Sequence, residues 1–122
     1  MKAILIVFTG GGLGSVLRFA IGQWMGNDVQ HGPWATLMVN LIGSLLIGAL
    51  FGWSSLGEKN QDLWLFGVTG FCGGFTTFSA LSKECLEMIQ NQQWMPALLY
   101  IACSVAGGLI CVGTGYWLMR SV

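Results

Sequence analysis

An all-α membrane protein with four transmembrane helices, the third of them broken, is the fold class that this sequence predicts, and three observations predict it. Of the 122 residues, 54% are hydrophobic and 8% charged, whereas soluble domains charge about a quarter of theirs. Four apolar stretches each run to roughly the 20 residues that a helix needs to cross a hydrocarbon core about 30 Å thick. The third carries GFCGGFTTFSALSKE, Gly70 to Glu84, which sets glycines, threonines and serines in the middle of an apolar run. Lipid offers no partner for backbone that leaves the helix, so such a cluster marks a binding or permeation site rather than a plain span. Residues 1–122 make one domain, with no room for a second.

The first span is expected from Ala3 to Trp24. MKAILIVF imitates a signal peptide, but the apolar run continues past a short h-region without a small-residue cleavage site, so it reads as a retained helix. Gly10, Gly11, Gly12 and Gly14 have a passing GxGxxG look; with no strand before them the dinucleotide reading fails, and they are packing residues. The second span runs from Trp34 to Trp53, where Gly43 and Gly48 let another helix come close. The third runs from Leu63 to about Ile89, with Gly70 and Gly74 spaced as GxxxG. The fourth runs from Pro96 to Met119, with Pro96 suited to a first turn. Tryptophans at 24, 34, 53, 64, 94 and 117 fall near the predicted ends, as an interfacial belt should. Short connections, Met25 to Pro33, Ser54 to Asp62 and Gln90 to Met95, leave all chemistry inside the membrane or at its mouths.

Five basic and five acidic residues balance to zero, which removes any basic footprint for nucleic acid. Lys2, Lys59 and Arg120 fall on one side of the membrane, and Arg18 and Lys83 lie toward the other. So slight a bias means either weakly set orientation or insertion both ways, with pairing to an inverted copy. Cys72, Cys85, Cys103 and Cys111 form no CxxC pair and read as small apolar fillers. His31 stands in a loop, and no nucleophile with a base recurs elsewhere, so no enzyme is expected.

Several residues carry both a structural and a functional reading. Arg18, inside an apolar span, costs at least about 2.5 kcal/mol there; it snorkels or pairs with a carboxylate such as Glu84, or it draws an anion into a vestibule. Asn40 makes an interhelical amide bond, or its NH₂ lines a pore as a neutral donor. A helix broken at Thr76, Thr77, Phe78 and Ser79 would free carbonyls for a cation and amides for an anion. Phe75, Phe78 and Leu81 recur at core spacing, yet a ring edge also faces anions favourably. Glu87 reads as a solvated end charge. Tyr100 and Ser104 share a face of the fourth span that Gly108 and Val112 continue without polar groups.

GGGLGSVLR (Gly10 to Arg18), ATLMVNLIGSLLIG (Ala35 to Gly48) and the Gly70 to Glu84 stretch together resemble the signature stretches of the Fluc, or CrcB, family of bacterial fluoride channels, over essentially the whole chain. The resemblance implies an antiparallel, dual-topology homodimer in the bacterial plasma (inner) membrane that exports fluoride passively and confers fluoride resistance. It implies that Asn40, Phe78 and Ser79 line the fluoride pathway, with Arg18 in its vestibule, Glu84 closing the signature, and Tyr100 and Ser104 beginning a polar track. It also implies that carbonyls of Gly73 and Thr76 from each subunit hold a structural sodium ion at the dimer centre. The family pattern T-F-S-T-F-S is here Thr77-Phe78-Ser79-Ala80-Leu81-Ser82, so Leu81 stands where the second phenylalanine of the family's "Phe box" is expected and offers no ring edge. Slower conduction, or a heterodimer with a paralogue, would accommodate that change. The alternative is a dual-topology small multidrug-type cation/proton antiporter, which needs a membrane carboxylate; the first span carries Arg18 and no acid.

Overall fold

The computed structural model describes residues 1–26, 32–57 and 60–121; the sequence readings of His31 and Lys59 lie outside the described residues. All regular structure among them is helical: α1 (Lys2–Trp24), α2 (Gly32–Ser54), α3 (Gln61–Trp64), a π-helical segment (Leu65–Cys72), α4 (Gly73–Phe75), α5 (Phe78–Gln90) and α6 (Trp94–Arg120). Four stretches are long and apolar enough to cross a membrane: Lys2–Trp24, Gly32–Ser54, Gln61–Gln90 and Trp94–Arg120. The predicted spans lie inside these bounds, and capping explains part of the extra length. Asn60 accepts the Leu63 N–H at 3.1 Å, so the third span starts on its cap, before hydropathy rises. α6 starts at Trp94, which puts Pro96 in the first turn, where a missing N–H breaks no intrahelical bond.

Two helix pairs make the bundle, each closed by glycines. Among lipid tails no hydrophobic drive joins helices, so close backbone approach and dispersion must do so. α1 lies along the third span: Gly10 rests on the Phe66 carbonyl, Gly14 on the Phe71 carbonyl, and Gly74 on the Gly11 carbonyl, so tightly that a Cβ at any of them would overlap that oxygen. α2 lies along α6 in the same way, with Gly48 on the Val112 carbonyl, Gly52 on that of Tyr116, and Gly115 on that of Leu45. Contacts advance in the same sense along both chains, so the helices of each pair run parallel. The pairs meet where Gly43 faces the Thr76 side chain and Phe75. Phe75, Val39 and Cys72 are the side chains most completely enclosed there.

The π-helical segment has no counterpart in the predicted elements. Its apolar composition matches any buried helix, and i→i+5 closure leaves no residue-type signature. Outside the bundle, Trp24, Trp34 and Trp94 mark one end and Trp53, Trp64 and Trp117 the other, because successive spans alternate in direction. Lys2 meets Asp62 at 2.5 Å, joining the starts of α1 and the third span; both are exposed, so this pair contributes little.

Candidate functional site

Helical geometry stops at Phe75 and resumes at Phe78. Between them Thr76 (φ −81°, ψ 159°) and Thr77 (φ −152°, ψ 115°) are extended. The preceding turn closes on one acceptor, the Cys72 carbonyl, which takes the Thr76 N–H at 2.9 Å and the Thr76 hydroxyl at 2.8 Å. Asn40 of α2 meets the extended backbone side-on: the Thr77 N–H donates to its Oδ1 at 2.8 Å, and its Nδ2 donates to the Thr77 carbonyl at 3.1 Å. The two backbone groups fix which way round the amide sits, and one of its two N–H bonds is left over. Thr77 then caps α5, its hydroxyl accepting the Ala80 N–H at 3.1 Å and lying 3.1 Å from the Ser79 hydroxyl.

This arrangement redirects two donors. In an unbroken helix the Thr77 N–H would serve the Gly73 carbonyl and the Ala80 N–H the Thr76 carbonyl. Asn40 takes the first and the Thr77 hydroxyl the second. Gly73 and Thr76 thus keep carbonyl lone pairs that the helix no longer uses, and Gly73 lies on the exposed side of the chain.

A second polar cluster lies about one turn from Asn40 along α2. Thr36 donates to Glu84 Oε1 at 2.7 Å, and Tyr100 donates to Glu84 Oε2 at 2.6 Å. An ionised carboxylate is acceptor-only, so one hydroxyl per oxygen suits it. The Tyr100 ring is held in a small core with Leu81 and Cys85, flanked by Leu37 and Met88. Glu84 forms part of the wall of two clefts. One, of about 230 Å³, also has Arg18, Thr77 and Ala80 in its wall; the other, of about 550 Å³, has Trp34, Leu37, Glu87, Tyr100 and Cys103.

Of the residues singled out in the sequence, Asn40, Thr76, Thr77 and Ser79 come together at the break, and Glu84, Leu81 and Tyr100 around the carboxylate. Arg18 shares a cleft with Glu84, and no ion pair joins the two among the described residues. Phe78 stands outside both clusters with 79% of its surface exposed, whereas Leu81 is 6% exposed. Ser104 places a buried hydroxyl that has no hydrogen-bond partner among the described residues. Farther along α6, Gly108 faces Ser44 and Val112 carries the carbonyl under Gly48, so the positions without hydroxyls belong to the α2 seam. Glu87 pairs with Lys83 at 2.8 Å on the surface.

Thr36 was not singled out in the sequence, nor was Thr77 as the residue gripped by Asn40. A signal existed for the first, since Thr36 and Asn40 are four apart and so share one helix face. For the second, a threonine just before a helical Phe-Ser-Ala run is a preferred N-cap.

Comparison with known proteins now adds to this geometry. A family model described as "CrcB-like protein, Camphor Resistance (CrcB)" matches residues 5–116. A "Fluoride-specific ion channel FluC" of Gloeobacter violaceus is 44% identical over 95% of this chain and 94% of its own length. One of Leptospira interrogans is 38% identical over 98% of this chain and 96% of its own. A "Fluoride-specific ion channel FluC 2" of Bacillus subtilis is 42% identical over all of this chain and 91% of its own length.

Proposed function

The chain belongs to the CrcB-like family, and from that membership we propose that it is a fluoride-specific ion channel through which cytoplasmic fluoride leaves down its gradient. The observation that carries this reading is near-full-length identity to relatives that bear that name. Its family is one of ion channels rather than enzymes, and the cation/proton antiporter alternative has no support. The four spans make it a multi-pass membrane protein; the bacterial plasma (inner) membrane is its proposed location.

Fluoride is small and strongly hydrated, so a narrow path must offer donors in place of water without trapping the ion. The remaining N–H of Asn40 and the hydroxyl of Ser79 meet that need at the break, and Phe78, exposed on the outer face, would offer a ring edge. Arg18 would concentrate anions in the cleft it shares with Glu84, and Tyr100 and Ser104 would continue the path along α6. Leu81 packs on the carboxylate's own cluster and gives no ring, so at the break this pathway has Phe78 as its one phenylalanine.

The functional unit we propose is an antiparallel homodimer, with lipid around it and the broken third spans at its centre. Three tryptophans at each end seat the chain equally well either way up, which supports that assembly; a paralogue carrying the second aromatic is the other partner we consider. A structural sodium ion fits the break. Neutral carbonyl oxygens suit a hard cation, and Gly73 and Thr76 would supply them, one pair per subunit. Bound there, a cation would offset the repulsion between the carbonyl dipoles that meet where the third spans face each other.

The test is fluoride efflux from liposomes followed with a fluoride electrode. Asn40→Asp places a carboxylate in an anion path and is expected to abolish efflux; undiminished efflux from that variant would sink the assignment.

A further inference from the structure

We infer that Asn40 is a positioning residue for the cation site, so that one amide governs both the anion path and the oxygens beneath it. The inference rests on the sodium reading proposed above and adds a residue that contributes no oxygen to that site. Its basis is the exchange of donors at the break. The Thr77 N–H reaches Asn40 Oδ1 at 2.8 Å; without that acceptor, its nearest helical alternative is the Gly73 carbonyl four residues back. A buried N–H left without an acceptor is costly, so loss of the Asn40 oxygen drives the Thr77 N–H toward that carbonyl. A carbonyl so engaged has one lone pair fewer to offer a cation, and its direction shifts toward the helix axis. The other half of the clamp, Asn40 Nδ2 to the Thr77 carbonyl at 3.1 Å, holds the peptide on the far side of Thr77 and has no such effect on Gly73. The two halves can therefore be separated by substitution. Asn40→Asp keeps the acceptor for Thr77 and loses a donor, whereas Asn40→Ala and Asn40→Leu lose both.

The measurement is the melting temperature of the purified full chain in detergent, followed by tryptophan fluorescence. Sodium is exchanged for N-methylglucamine at constant ionic strength, and fluoride efflux is recorded on the same preparations. Wild type is expected to gain stability saturably with sodium. Asn40→Ala is expected to need about tenfold more sodium, or greater, for the same half-effect. Asn40→Leu, which keeps bulk without a polar atom, carries the same expectation if the alanine variant is not dispersed. Asn40→Asp, which keeps the acceptor and adds a negative charge near the cation, should keep a midpoint no higher than that of wild type while conducting no fluoride. A purely structural asparagine would lower every melting temperature and leave the sodium midpoint where it was; that result overturns the inference and spares the cation site. A wild type that ignores sodium overturns the cation site and the inference with it.

Discussion

Two polar clusters lie on one face of α2, about a turn apart, and they differ in what they hold. Asn40 holds backbone: both of its bonds go to Thr77, a peptide that has left its helix. Thr36 holds a side chain: with Tyr100 it brackets the Glu84 carboxylate, whose own backbone stays inside α5. The first cluster fixes the course of the chain, and the second fixes the position of a charge. The contrast explains why a neutral amide serves in one place and hydroxyls in the other. A peptide needs a donor and an acceptor side by side, which among neutral side chains only Asn and Gln provide, whereas a carboxylate needs donors alone.

Substitutions can set the two clusters against each other. The largest loss is expected for Asn40→Ala, which takes the acceptor from the Thr77 N–H, turning it toward the Gly73 carbonyl, and leaves the Thr77 carbonyl without its donor; it should cost about 3 kcal/mol in an unfolding equilibrium. Hydrogen exchange should show it as altered protection confined to the Thr76 to Ala80 amides. Tyr100→Phe removes one bond to a charged group and should cost about 2 kcal/mol in the same equilibrium, with protection at Thr77 unchanged. If it exposed Thr77 as well, the clusters would be one unit. Leu81→Phe restores the family's aromatic but must enter the small core that holds Tyr100, and overpacking there should cost about 1–2 kcal/mol. Its efflux rate against wild type measures what the ring contributes. The smallest effect is expected for Ser104→Ala, within about 0.5 kcal/mol of wild type, since its buried hydroxyl has no partner among the described residues and none is lost with it.

Much of this organisation is legible in the residues. The spans follow from apolar length, and the glycines at 10, 14, 48, 70 and 74 meet backbone because only small residues allow that approach in lipid. The polar run after Gly74 marks the break for the reason it occurs, namely that threonines cap and lend hydroxyls where amides are redirected. Hidden from the sequence is direction. Phe78 and Leu81, three apart in one pattern, differ from outward to enclosed, because α2 and α6 cover one side of α5 and, among the described residues, nothing covers the other. Asn40 shows the same limit. Its amide could be read as interhelical glue or as a pore donor, and geometry gives it a task on the neighbouring backbone while leaving one N–H over.

The π-helical segment bears on the third span as slack in a rope held at two knots. Asn60 fixes one knot by capping α3, and Asn40 fixes the other by gripping Thr77. Between them, Leu65–Cys72 stores residues in wide i→i+5 turns. Removing one residue from this stretch would let a wide turn tighten to an ordinary one, with both knots at their depth in the bilayer. Relatives that lack a residue there would therefore keep the same break and the same clamp, and residue counts across the stretch would drift while the architecture stood still.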